Sequence, residues 1–136
     1  MRRSMLALGL VFALGCGGSE SPTEPSPNLA GTWNLTTVNG AVLPFTLPGS
    51  GPALTVEITG DQIVAYGDKT WIGTTTYRRT DGAGITTVTQ VPNGTWVQTG
   101  ANVTLNYSGG ATAHATIAGD VITFSASGVV AVYERE

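Results

Sequence analysis

The chain has 136 residues, 19 of them glycine, with 11% charged side chains and a formal net charge of −3. Removing residues 1–15 takes away Arg2 and Arg3 and leaves four basic residues against nine acidic ones, a net charge near −5. Such a balance excludes nucleic-acid binding through neutralised phosphates and a polybasic hold on anionic lipid.

Met1-Arg2-Arg3-Ser4 is a short positive start, and Met5 to Leu14 is apolar apart from Gly9. That run suits the core of a signal peptide and is too short to cross a bilayer as a helix. It ends in Ala13-Leu14-Gly15-Cys16, where a small residue precedes the chain's one cysteine. This resembles the bacterial lipobox, with Ala13 where leucine is usual. The resemblance implies a signal peptide over 1–15 and a diacylated Cys16 as the mature N-terminus, anchored by its acyl chains. Gly17 stands where an aspartate would favour inner-membrane retention, so the resemblance implies the outer membrane. Residues 16–27, rich in Pro, Ser and Glu, cannot bury apolar area or sustain a helix, and are expected to be a flexible-to-extended tether.

From Asn28 the composition changes, and the remaining 109 residues are expected to form one domain, 28–136. Past residue 15 no window has helical apolar periodicity. Thr, Val, Ile, Tyr and Trp suit a pleated, half-buried surface. Leu29-Ala30-Gly31-Thr32-Trp33-Asn34-Leu35 reads as the first strand. Turn signals then recur at strand-length intervals: Asn39-Gly40, Gly49 to Pro52, Gly60-Asp61, Gly67-Asp68, Asp81 to Gly84, Pro92-Asn93-Gly94, Gly100 to Asn102, Ser108 to Gly110, Gly119-Asp120 and Ser127-Gly128. The pattern predicts an all-β fold, an antiparallel meander closing as a barrel or sandwich. Closure removes the unpaired edges that a Thr/Val-rich sheet would otherwise present.

Alternation assigns faces to several strands. Trp33 and Leu35 share one, as do Leu54, Val56 and Ile58. Val103, Leu105 and Tyr107 share another, then Ile122, Phe124 and Ala126, then Val129, Ala131, Tyr133 and Arg135. The interior face of the Trp71–Val91 hairpin is left open by the pattern. Gly31-Thr32-Trp33 recurs as Gly94-Thr95-Trp96, a thin sign of internal repetition.

Ala30-Gly31-Thr32-Trp33 behind a lipoprotein tether, followed by a strand meander, resembles the opening of a bacterial lipocalin-like domain. The resemblance implies a small up-and-down β-barrel of about eight strands, in which Gly31 and Trp33 begin and close the floor and Arg135 on the last strand packs over the Trp33 ring. The domain is shorter than a full lipocalin and in size is nearer the avidin family, whose first strand also carries Gly-x-Trp. The polar set that grips biotin in avidins is not recognisable, and that activity is not carried over.

His114 is the only histidine and has no Cys or second His to share a metal; it reads as a strand residue. Asp61, Asp68, Asp81 and Asp120 lie in or beside Gly-containing turn signals, where Asp bonds local backbone. No Gly-x-Ser-x-Gly elbow is present. The chain is therefore expected not to be an enzyme and to need no metal or cofactor. Tyr66, Trp71, Tyr77 and Trp96 are the candidates for lining a ligand pocket, since aromatic side chains combine apolar area with a polar handle. Two readings stay open. One is a lipid-anchored envelope protein binding a small hydrophobic or amphipathic molecule. The other is a solid-core lipoprotein that contacts another envelope protein through its loops.

Overall fold

The computed structural model describes residues 27–136. The expected signal peptide, Cys16 and all of the tether but Pro27 lie outside the described residues. Eleven strands follow in order: β1 (Gly31–Val38), β2 (Ala41–Val42), β3 (Phe45–Thr46), β4 (Leu54–Ala65), β5 (Thr70–Asp81), β6 (Gly84–Gln90), β7 (Asn93–Thr99), β8 (Asn102–Tyr107), β9 (Thr112–Ala118), β10 (Val121–Ala126) and β11 (Val129–Arg135).

Eight of them close a barrel. The antiparallel path runs β1, β11, β10, β9, β8, β7, β5 and β4, and β4 returns to β1 through Gly31↔Ala65 to Asn34↔Gln62. The first and last strands lie side by side, with Trp33 opposite Arg135. Most connections are the tight turns that the Gly, Asn and Asp pairs demand. Asn39 and Gly40, for example, take φ of 51° and 79° between β1 and β2, the left-handed pair of a hairpin turn.

Two expected turns are not turns. Gly60-Asp61 lies inside β4, where the register with β5 slips between Ile58 and Gly60. Thr59 is the extra residue of a β-bulge, and its hydroxyl donates to the Thr76 carbonyl at 3.1 Å. A bulge reverses parity along its strand. The alternation of Leu54, Val56 and Ile58 thus gives way to Asp61, Ile63 and Ala65, which point inward. β1 has the same device between Leu35 and Thr37, with the Thr36 hydroxyl on the Val132 carbonyl at 3.0 Å. Pro92-Asn93-Gly94 is also not a turn. Gln90 faces Thr75 and Asn93 faces Ile72, so β6 and β7 run along β5 in one unbroken register. Pro92 interrupts the strand because it has no N–H to donate, while its carbonyl still accepts from Gly73 at 2.8 Å.

The same pairings settle the face of the Trp71–Val91 hairpin. Within the barrel, Trp71, Gly73 and Thr75 point inward and are buried, and Ile72 and Thr74 are exposed. Beyond Thr75 the upper parts of β4 and β5, flanked by β3 and β6, project from the barrel as a flap. Every residue of β6 is exposed.

The core gathers at one end, the floor. Trp33, Trp71 and Trp96 are the largest fully buried side chains, joined by Leu29, Val103, Leu105, Ile117 and Ile122. Gly31-Thr32-Trp33 and Gly94-Thr95-Trp96 both contribute to this floor, but from strands of opposite direction, since β1 climbs away from it and β7 descends toward it.

Candidate functional site

At the floor every indole is tied to backbone. Trp33 Nε1 donates to the Leu29 carbonyl at 2.7 Å, Trp71 Nε1 to Thr95 at 3.1 Å and Trp96 Nε1 to Tyr66 at 3.0 Å. A buried N–H without an acceptor would cost about 1–3 kcal/mol, so these bonds fix each ring in one orientation. Arg135 Cζ lies 4.2 Å from the centre of the Trp33 ring. The same guanidinium donates to the Ala30 carbonyl at 2.8 Å and the Asn28 carbonyl at 2.6 Å, and its Nε reaches Asp120 at 3.1 Å. Gly31 makes room for it: a Cβ there would collide with Arg135 Nη1, and its φ of +143° disfavours any side chain. Lys69 Nζ stands 3.9 Å over the Trp96 ring. Gln98 completes the seal, accepting from the Leu29 N–H at 2.9 Å and donating to the Pro27 carbonyl.

The opposite end of the barrel is open. A cavity of about 230 Å³ descends from this mouth to Trp71 and Leu105, walled by Tyr107, Phe124 and Tyr133, with Asp61 and Thr75 supplying polar atoms. Small side chains leave the space: Gly73, Ala113 and Ala126 face it where larger residues would fill it. Its aromatic rings meet edge to face, Trp71 with Tyr107 at 4.9 Å and 80°, Phe124 with Tyr133 at 5.4 Å and 69°. Pairs of this geometry add stability beyond their buried area and hold the walls in place.

Asp61 is the polar centre of the mouth. The Tyr133 hydroxyl reaches it from β11, passing inside β1, and donates to Oδ2 at 2.7 Å. Burial pushes the Asp61 carboxyl above its ordinary value, against the opposing pull of hydrogen bonds from Tyr133, Thr75 and the Gln62 backbone. Burial, and then the Asp61 charge, drive the Tyr133 hydroxyl far above the usual tyrosine range, so it stays protonated and donates. Burial followed by the same charge raises Tyr107 and Tyr77 as well.

A family model described as a lipocalin-like domain matches residues 29–127, from the buried Leu29 to the turn before β11. The chain belongs to the lipocalin-like domain family. No curated protein and no solved structure matches it.

Of the four aromatic residues expected to line a lipocalin-like pocket, the fold brings one to the cavity. Trp71 forms its inner end. Trp96 is 2% exposed and packed into the floor beneath. Tyr66 lies 45% exposed beside the floor turn, where its carbonyl serves Trp96. Tyr77, higher on β5, lines a separate shallow depression with Leu47, Val56, Val88 and Gln90. Sequence reasoning missed Asp61, Tyr107, Phe124 and Tyr133 as a group. Alternation placed each of the three aromatics on an inward-capable face, but only closure brings β8, β10 and β11 around one space. His114 stands at the rim with its side chain exposed, Nδ1 3.2 Å from the Thr104 hydroxyl. Among the described residues, no three of His, Cys, Asp and Glu are grouped to hold a metal.

Proposed function

We propose that this lipocalin-like protein is a lipid-anchored bacterial envelope protein, without catalytic activity, whose barrel binds a small amphipathic molecule. The observation that carries the reading is the mouth cavity, about 230 Å³ in volume, apolar and aromatic below and polar at Asp61. Ligand sites combine these features: an apolar concavity and a few convergent polar groups. An engineered apolar cavity of about 150 Å³ holds benzene, so this one suits a single ring with a short substituent. The anchoring reading comes from the lipobox resemblance at Cys16. The tether joins the barrel at its sealed floor, so the mouth opens at the end remote from the attachment.

Gentle purification followed by native mass spectrometry tests the binding reading. The expected result is a co-purifying small molecule that disappears in Ala113→Phe, where an aromatic ring fills the cavity. For the anchor, Cys16→Ser is expected to abolish acylation and release the protein from membranes. An unmodified N-terminal peptide in the parent protein would reject that part. The projecting flap favours the alternative, contact with another envelope protein, because it leaves Ile85 70% and Val88 42% exposed. Deleting the flap tip would impair such a contact without emptying the cavity.

A further inference from the structure

This inference rests on the ligand-binding reading and names the ligand's chemistry. Asp61 faces the cavity as a carboxylate without a cation. Among the described residues the ion pairs are Arg78–Glu57, Arg79–Asp81 and Arg135–Asp120, and all three lie elsewhere. Taking an ionised carboxylate out of water without a counter-charge is unfavourable. The Tyr133 hydroxyl relieves part of that cost and fixes the direction of the carboxylate. Around it stand Trp71, Tyr107, Phe124 and Tyr133, whose ring faces attract cations. An anion would meet the Asp61 charge, and a neutral molecule would leave it unanswered.

We propose that the barrel mouth binds a small organic ammonium ion, its charged nitrogen against the Asp61 carboxylate and its single-ring apolar body over Trp71 and Leu105. The wall aromatics then serve twice, as apolar lining for the ring and as a weakly negative surround for the ammonium. The Tyr133 hydroxyl, 2.7 Å from Oδ2, holds the carboxylate in place at the cavity, and Thr75 lines the same wall.

The test is calorimetric titration of the full-length chain with three probes of one shape: 2-phenylethylamine, 2-phenylethanol and phenylacetate. The amine is expected to bind about tenfold or more tightly than the alcohol, because both donate a hydrogen bond to the carboxylate but only the ammonium neutralises its charge, and phenylacetate weakest. In Asp61→Asn, which keeps an acceptor for Tyr133, the preference should shrink to about twofold or less. Equal binding of amine and alcohol to the parent protein would overturn the ammonium proposal and leave the ligand-binding reading intact. Persistence of the amine preference in Asp61→Asn would overturn the role of Asp61. If no probe binds, or if Ala113→Phe binds all three as the parent does, both the proposal and the cavity reading fall. The parent protein's own discrimination needs no variant, so a poorly folding Asp61→Asn would not shield the proposal.

Discussion

The floor and the mouth of the barrel are built from the same kinds of residue and put them to opposite uses. At the floor, Trp33 and Trp96 are wedged into the core, their N–H groups bonded to backbone and their faces covered by Arg135 and Lys69. At the mouth, Tyr107, Phe124 and Tyr133 surround a space, and the carboxylate they enclose pairs with no cation among the described residues. One end satisfies its polar groups within the chain. The other keeps a charge and a volume in reserve. Stability is thus concentrated where the barrel is sealed, leaving the open end free to carry a less favourable arrangement.

Truncating one ring at each end gives the largest expected contrast. Trp33→Ala removes a fully buried indole and should cost about 3–5 kcal/mol in chemical denaturation. Phe124→Ala, half-buried on a wall already facing a cavity, should cost nearer 1 kcal/mol. Equal losses would abolish the distinction between a packed floor and an open mouth.

Arg135→Ala should be intermediate, about 1–3 kcal/mol, because it deletes hydrogen bonds to two carbonyls together with the contact on Trp33. A double-mutant cycle with Trp33→Ala should show coupling of about 0.5 kcal/mol or more. Zero coupling would mean that Arg135 acts only by holding the chain segment at Asn28 and Ala30. Lys69 offers the milder version of the same arrangement. Its φ of 73° is left-handed, so Lys69→Asn tests the charge without forcing an unfavourable backbone. The expected loss is about 0.5–1 kcal/mol, as for an exposed cation over a ring. A larger loss would place more of the floor's stability at Trp96 than at Trp33.

The contrast also explains what could be read from the sequence. The floor was legible because its signals are short and carry the lipocalin-like resemblance: Gly31-x-Trp33 opening the first strand, and a basic residue, Arg135, on the last. Turn spacing points to a closing antiparallel meander although Gly60-Asp61 and Pro92-Asn93-Gly94 are not turns, and the lipocalin-like resemblance makes that closure an eight-stranded barrel. The mouth was not legible. A Gly-Asp pair is as good a turn signal as a bulge signal, and only the pairing of Thr76 with Gly60 rather than Thr59 reveals which it is. That single inserted residue turns Asp61 inward. Its bond to Tyr133 spans 72 positions, a proximity created by closure and written in no local pattern. Tyr66, Tyr77 and Trp96 were attractive for their chemistry alone, and their depth in the fold sends them elsewhere.

The smallest expected effect, and the most specific to the mouth, is a pH dependence. The Asp61 carboxyl is raised above its ordinary 3.8 by burial. The unfolded chain therefore releases this proton at lower pH than the folded chain does. Between the two values the folded state binds more protons, so stability falls as pH rises through that window. Asp61→Asn removes the titration while preserving an acceptor for the Tyr133 hydroxyl. Subtracting the two unfolding curves cancels the other carboxylates. Below 3.8 the difference should be independent of pH. Above the folded value the difference should be constant again, displaced in the variant's favour from its value below 3.8. The groups that share the cavity with Asp61 are Tyr107 of β8 and Tyr133 of β11, with His114 of β9 at the rim, and Tyr77 of β5 lies outside the cavity but within reach of the Asp61 charge. Burial raises all three tyrosines above their ordinary 10.0, so none of them loses a proton across the acid window. A difference curve that rises in the opposite direction, favouring the parent protein at neutral pH, would mean that the hydrogen bonds from Tyr133, Thr75 and Gln62 outweigh burial. Asp61 would then be a satisfied structural group like those of the floor, and the two ends of the barrel would no longer differ in kind.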